Sequence, residues 1–416
     1  MRRFPRTATT LFFDPEAEPV AEVADGERVV VETADSLCGL AKSRLREARA
    51  APGLHIDEVL ERLGGACPVT GPFHLAGAQP GGVVEIELHR VDPVPAAGEA
   101  WTGTFGGFGA LQHEGYTLQA PLEPELRRVP YRDGVAALPV GGGRSVALPL
   151  RPFLGTVGVA PRRERRLSFS QSPEYLGDVD QPALGAGATL RLPVQVEGAL
   201  VAFGDAHGAQ GDGEITGVAV EIEAEVELTM RARDREEIGF VALPQLDTAE
   251  AIGSVAGLQG ADLSSCARAA YTDLVERLHR GHGLSRADAY QLLGQAGRLR
   301  VGNMIDPFYS VLATIERRYL DPAEGGTANA RCRTCGARAA LPWTSVLQGE
   351  PSMRKRVLLL TVLLLSLAVA SAGLAAPAGA GPNDPTVLFG ARPEPGTQQG
   401  TTSLEGKIGR RLATVR

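Results

Sequence analysis

The segment Val218-Ala219-Val220-Glu221-Ile222-Glu223-Ala224-Glu225-Val226-Glu227-Leu228-Thr229-Met230 decides the fold class. Its apolar residues recur at every second position, the period of a strand with one buried and one wet face. The spacing predicts one long strand from Ile215 to Met230. Glu221, Glu223, Glu225 and Glu227 take the alternate face and are expected in water rather than around a metal.

Immediately upstream, Gly198 to Glu214 carries Asp205, His207, Gln210, Asp212 and Glu214 with glycines between them. An apolar, strand-like run from Leu190 to Phe203 precedes it. A polar loop clamped between two strands is a good place for a site, because the strands are rigid and glycine lets the backbone bend close to a ligand. Asp-x-His followed by Asp and Glu supplies oxygen and imidazole ligands for a divalent metal, with a carboxylate to spare for proton transfer. Gly-Asp-Gly is also ordinary turn chemistry.

Further out, Arg28 to Thr33 and Val83 to His89 read as strands. Asp35 stands where the first of these ends, as a site carboxylate or as a turn or helix-cap residue ahead of Ser36-Leu37. His55 and His89 read as surface residues, and His74 and the pair His113-Glu114 rank below His207. Trp101, Phe105, Phe108 and Tyr116 either line a pocket or pin their glycine-rich loop. After Asp247 the period becomes helical, with Ala267, Ala270, Leu274 and Leu278 on one face. Ser285-Arg-Ala-Asp288 reads as the capped start of a second helix.

The chain has 416 residues, 51 glycines, 29 prolines and a net charge of −7. This suits a turn-rich β protein, and the lack of a basic face in the main body argues against nucleic acid as a partner. The fold expected is β-dominated α+β: two sandwich- or barrel-like substructures at 8–160 and 161–245, with a helical appendage at 246–322. Five scattered cysteines and no secretory opening point to reduced thiols in the cytoplasm.

Gly-Asp-x-His-x-x-Gln-Gly-Asp-Gly-Glu at 204–214 resembles the signature of the acetamidase/formamidase family of amide hydrolases. Val31-Glu32-Thr33-Ala34-Asp35, Pro68-Val69-Thr70-Gly71-Pro72, Gly77-Ala78-Gln79-Pro80-Gly81, Gly106-Gly107-Phe108-Gly109, Pro152 to Pro161 and Asp180 match further elements in the same order. The likeness covers about residues 8 to 320 within a domain drawn at 8–325. Where the family reads Gly-Gly-Asn, this chain has Leu176-Gly177-Asp178, an acid in place of an amide.

The resemblance implies hydrolysis of small linear amides to a carboxylate and ammonia, and self-association. Lactams are the alternative substrates, and a metal-bearing β-domain without turnover is the alternative class. Residue chemistry and the matched motifs together suggest Asp35, Asp205 and His207 as ligands of a divalent metal, zinc foremost, with Asp180 as ligand or orienter. Glu214 is the first choice for general base and acid, Asp212 the competing one, and Gly208 to Gly213 are expected to lend N–H groups to an oxyanion.

Residues 326–352 read as a linker carrying Cys332-Arg-Thr-Cys335, half of a zinc-ribbon signature. Within 353–380, Val357 to Ala376 is long enough to span a bilayer. The basic residues before it would leave the enzymatic domain in the cytoplasm. Starting at Met353, the same stretch also reads as the signal peptide of a separate, fused reading frame. Residues 381–416 read as a disordered polar tail.

Overall fold

The alternating segment is divided between two sheets. The computed structural model describes residues 1–45, 50–111, 122–305 and 308–320. Val220–Glu221 is a short strand of one sheet, and Ala224–Arg233 is a long strand of the other. The chain changes sheet between them. The Ile222 N–H bonds to the Ala206 carbonyl on one side, and the Glu223 carbonyl accepts from the Val94 N–H on the other. The single strand expected from Ile215 to Met230 is therefore corrected to a loop, a short strand and a long strand. Residue parity is kept across the change, so the pattern itself does not mark it. Beyond it the wet face is as expected. Glu223 meets Arg6 and Lys42, Glu225 meets Arg3 and Arg90, and Glu227 meets Arg28 and Arg90.

Among the described residues, the strand Ala224–Arg233 belongs to a nine-stranded sheet, between Arg28–Thr33 and Val83–Pro93. That sheet continues through Thr189–Pro193, Gln245–Asp247, Ala251–Gly257 and Phe308–Glu316 to Arg298–Ile305. A thirteen-stranded sheet is built around Val201–Ala209. Phe153–Gly158 pairs along one edge of this central strand. The other edge is shared by Val69–Leu75 over the first half and Val220–Glu221 over the second. The two sheets bury one apolar core, in which Val31, Ile86, Leu190 and Val226 meet Phe73 and Phe203. Each sheet draws strands from both 8–160 and 161–245, so the chain division expected for the substructures is not the division of the sheets. Long-range pairing, such as Val83–Pro93 with Ala224–Arg233, is invisible to local pattern.

The helical appendage is present but smaller than expected. Leu263–His282 is capped by Asp262, whose carboxylate accepts from the Ser265 N–H, and ends at Gly283 in the left-handed conformation. It buries Cys266, Ala270, Leu274 and Leu278, so Cys266 takes the place expected for Ala267. Arg286–Ala296 starts at Ser285, whose hydroxyl accepts from the Asp288 N–H, as read from the sequence. The strands Arg298–Ile305 and Phe308–Glu316 then return to the nine-stranded sheet, where helix was expected. Asp247 fastens helix to sheet. It accepts from Arg277 at 2.9 and 3.1 Å and from Arg191 at 2.8 Å.

No helix among the described residues is long and apolar enough to cross a membrane. Val357–Ala376, Cys332 and Cys335, His113-Glu114 and Tyr116 lie outside them.

Candidate active site

The site grows from the central strand Val201–Ala209, of which all but the last residue is buried. His207 has Phe153 as its partner on one neighbouring strand and Glu221 on the other, and directly paired residues project to the same face. The Phe153 ring meets the imidazole edge-on, with centroids 5.1 Å apart. Asp205 lies two residues earlier, where the edge passes from Val69–Leu75 to Val220–Glu221. Its φ of 55° turns it out of regular strand geometry. Opposite it, Gly155 leaves the needed room: a Cβ there would stand 2.5 Å from Asp205 Oδ2 and 2.6 Å from Asp180 Oδ1.

The imidazole is held in one orientation. Gln210 Nε2 donates to the carbonyls of Asp180 and Gly302, at 2.9 and 3.0 Å. Its Oε1 therefore faces His207 Nδ1, 2.8 Å away, and Nδ1 is the donor. That turns Nε2 toward three carboxylates: Asp205 Oδ1 at 3.4 Å, Glu221 Oε1 at 3.4 Å and Glu214 Oε1 at 3.9 Å. Asp180 Oδ1 lies on the Nδ1 side at 3.9 Å, while Asn303 Nδ2 donates to Asp180 Oδ2 at 2.8 Å. Asp178 is buried beside them and accepts from the Thr156 hydroxyl at 2.5 Å.

Crowding of buried acids sets the electrostatics. Burial, then the Asp180 charge, pushes Glu214 well above the usual carboxylate range. Burial with Asp205 raises Glu221 to about 7 and Asp180 to about 6, against the opposing pull of His207. Burial, Asp180 and Asp205 push Asp178 well above the ordinary range. Burial disfavours the imidazolium of His207, but Glu221 and Asp205 outweigh it and hold the ring well above its ordinary value.

Asp180, Asp205, His207 and Glu214 thus converge, while two other expected residues stand apart. Asp35 is buried, but its Oδ1 accepts from the Leu37 and Gly39 N–H groups at 3.1 and 2.9 Å, which holds the turn ahead of the helix Leu40–Arg44, whose N-cap is Gly39. Lys42 Nζ stands 3.6 Å from its other oxygen. Asp212 is 54% exposed and pairs with Arg300 at 2.8 Å, because the turn at Gly213 directs it outward. The Gly213 N–H bonds to the Val301 carbonyl and is not free for an oxyanion.

Sequence reading missed Glu221 and Asn303. Glu221 shares the parity of the wet glutamates, and only the change of sheet after it separates them. Of the aromatic residues, Trp101 and Phe105 pin their loop to a small core with Leu37 and Leu126. His55 caps the helix Ile56–Leu63 by accepting from the Asp57 N–H.

In chemical terms the cluster offers one imidazole and several carboxylates as ligand atoms. His207, Glu214 and Glu221 place one such atom each within 4.8 Å of one another, and so do Asp180, Asp205 and His207.

The profile of the Acetamidase/Formamidase family matches residues 169–315, which include every one of these acids and Asn303. A putative formamidase of Schizosaccharomyces pombe is 28% identical over 192 residues, 36% of this chain and 47% of that protein. The chain thus matches about half the length of this curated relative. An acetamidase structure from Bacillus halodurans superposes with a TM-score of 0.65 at 27% identity, over 77% of this chain and all of that one. An acetamidase from Yersinia enterocolitica gives 0.66 at 27% identity, over 77% of this chain and 93% of the other. Residues 169–315 thus match the Acetamidase/Formamidase family, and the chain is similar in fold to these acetamidases.

Proposed function

We propose that this chain hydrolyses small linear amides, formamide and acetamide among them, to a carboxylate and ammonia, and that it does so at His207. The observation that carries this reading is the convergence of His207 Nε2 with the buried carboxylates of Asp205, Glu221 and Glu214. That its relatives are a formamidase and acetamidases supports the substrate class.

The residues fit a divalent metal. Asp180 Oδ1, Asp205 Oδ1 and Glu221 Oε2 are buried without a hydrogen-bond partner, which is costly unless a cation or a proton meets them. An imidazole nitrogen among carboxylate oxygens is a donor set suited to zinc. His207, Asp205 and Glu221 would hold the ion, which when bound polarises a carbonyl and acidifies water. Asp180, fixed by Asn303, and Gln210 serve as positioning residues.

Glu214 carries the proton. An amide nitrogen is a poor leaving group until it is protonated, and burial shifts the Glu214 carboxyl upward from its usual range, which suits a group that takes up and releases a proton. Glu214 takes a proton from the attacking water and hands it to the departing nitrogen, so the cycle leaves it unchanged. We place the activity in the cytoplasm, which suits the unpaired thiols of Cys38, Cys67 and Cys266, and infer self-association from the family likeness.

Ammonia release from formamide, acetamide and a γ-lactam tests the reading. Release from the linear amides supports it. Turnover of the lactam alone would move the substrate class, and no release from any of them would leave a binding domain.

A further inference from the structure

We propose that the cavity between the helix Leu40–Arg44 and the strands Gly98–Thr104 and Glu125–Arg132 binds the carboxylate of a small organic acid, held by Lys42, Arg128 and the indole N–H of Trp101. The cavity has a volume of about 440 Å³, and Lys42, Ser43, Leu45, Glu99, Trp101 and Arg128 are among the residues that line it. That is the size of a small-molecule site. Strand register fixes where it lies. Arg128 is the direct partner of Trp101, Trp101 of Glu221 and Glu221 of His207. Directly paired residues project to the same face, so these side chains stand in one row. The cavity is at the Arg128 end of that row, with Trp101 between it and the cluster at His207.

Trp101 carries the observation that points to a ligand. It is 0% exposed, and its Nε1 is buried without a hydrogen-bond partner. An indole N–H is a donor only, and leaving it buried without an acceptor is costly. The ring is pinned by Leu37, Phe105 and Leu126, so the acceptor must come to it. The charges of the lining select the ligand. Lys42 and Arg128 against Glu99 leave one positive charge, which a monoanion made only of acceptor oxygens balances. Both cations are within reach of the cavity, with side chains 33% and 25% exposed. Lys42 Nζ stands 3.2 Å from Glu223, and Arg128 donates to Glu99 at 3.1 Å and to the Leu45 carbonyl. A bound carboxylate shares Arg128 with Glu99, which is 54% exposed and turns readily to water. Leu45 and the indole ring give the acid's carbon chain an apolar wall. The proposal goes beyond the amidase reading and does not rest on it.

The chain has two tryptophans, Trp101 and Trp343, so Trp343→Phe in the full chain leaves one indole to observe. With nitrogen-labelled tryptophan, acetate at constant ionic strength should move the Trp101 indole N–H resonance downfield to saturation, and chloride should not. Lys42→Met and Arg128→Leu should each weaken acetate by about tenfold or more, the loss of a charge-assisted hydrogen bond. Glu99→Gln removes the competing acid and should tighten it. An unmoved resonance, or the same midpoint in all three variants, would overturn the proposal. Should Arg128→Leu not fold, Lys42→Met and Glu99→Gln carry the comparison alone. His207→Ala should leave the acetate midpoint unchanged, which keeps this result separate from any failure of the amidase reading. A free acid and the acid end of a longer amide share this chemistry, and the half-amide of succinic acid separates them. Binding tighter than acetate that His207→Ala abolishes marks the carboxylate of a substrate. Binding indifferent to that substitution marks a free acid.

Discussion

His207 Nδ1 and Gln210 Oε1 lie 2.8 Å apart, and the amide group of Gln210 is spent on two main-chain carbonyls. The glutamine therefore presents only an acceptor to the ring and fixes which nitrogen faces the carboxylates. Gln210→Ala frees the ring to turn. Activity should fall about 10- to 100-fold, the usual effect of losing such a partner. Ammonia-release kinetics on a folded variant check it, and an unchanged rate would show that the ring orientation does not matter.

Glu221 and Glu223 look alike in the sequence and lie in different places. Glu221 is 1% exposed and 3.4 Å from His207, while Glu223 is on the wet face with Arg6 and Lys42. Glu221→Gln should lower turnover by on the order of 10²-fold. Glu223→Gln should leave it within about twofold and cost about 0–1 kcal/mol of stability, as for an exposed ion pair. Equal effects of the two substitutions would remove Glu221 from the site.

Gly155 makes room for the acids. A methyl group added there meets Asp205 Oδ2 at 2.5 Å and Asp180 Oδ1 at 2.6 Å. Gly155→Ala should force the carboxylates apart, costing about 1–3 kcal/mol as overpacking does. Denaturant melts and activity should both register the change. Full activity with unchanged stability would mean that the two carboxylates move aside freely.

Asp247 ties the helix Leu263–His282 to the nine-stranded sheet through Arg277, and Arg191 also donates to it. Burial raises its carboxyl pKa, but the two guanidiniums outweigh that and hold it below the usual value. A folded pKa below the unfolded one contributes stability that is fully present above about 3.9 and is lost as pH falls through the folded value. Asp247→Asn should cost about 3–5 kcal/mol near neutrality, because it leaves Arg277 buried without its partner. It should also flatten the acid side of the stability profile. Urea melts from pH 7 down to pH 3 check both, and a parallel offset at every pH would refute the linkage.

How much of this the sequence revealed depended on whether the deciding contact was local. Asp205, His207 and Glu214 are legible because one strand and one turn carry them within ten residues. The cap at Ser285 and the wet face of Glu223, Glu225 and Glu227 are local as well. Asp35 shows the limit: turn residue and ligand stand at the same strand end, and only the hydrogen bonds from Leu37 and Gly39 separate them. Asp212 and Glu214 share a Gly-Asp-Gly-Glu turn, and the turn geometry alone sends one outward and the other in. The places of Glu221 and Asn303 depend on which strands become neighbours, which residue spacing along the chain does not encode.

The most direct test is the rate of ammonia release from formamide by the full chain and by His207→Ala, both confirmed as folded by circular dichroism. The cluster account predicts measurable release by the wild type and a fall of at least about 10²-fold in the variant. Equal rates would contradict it and move the chemistry away from His207.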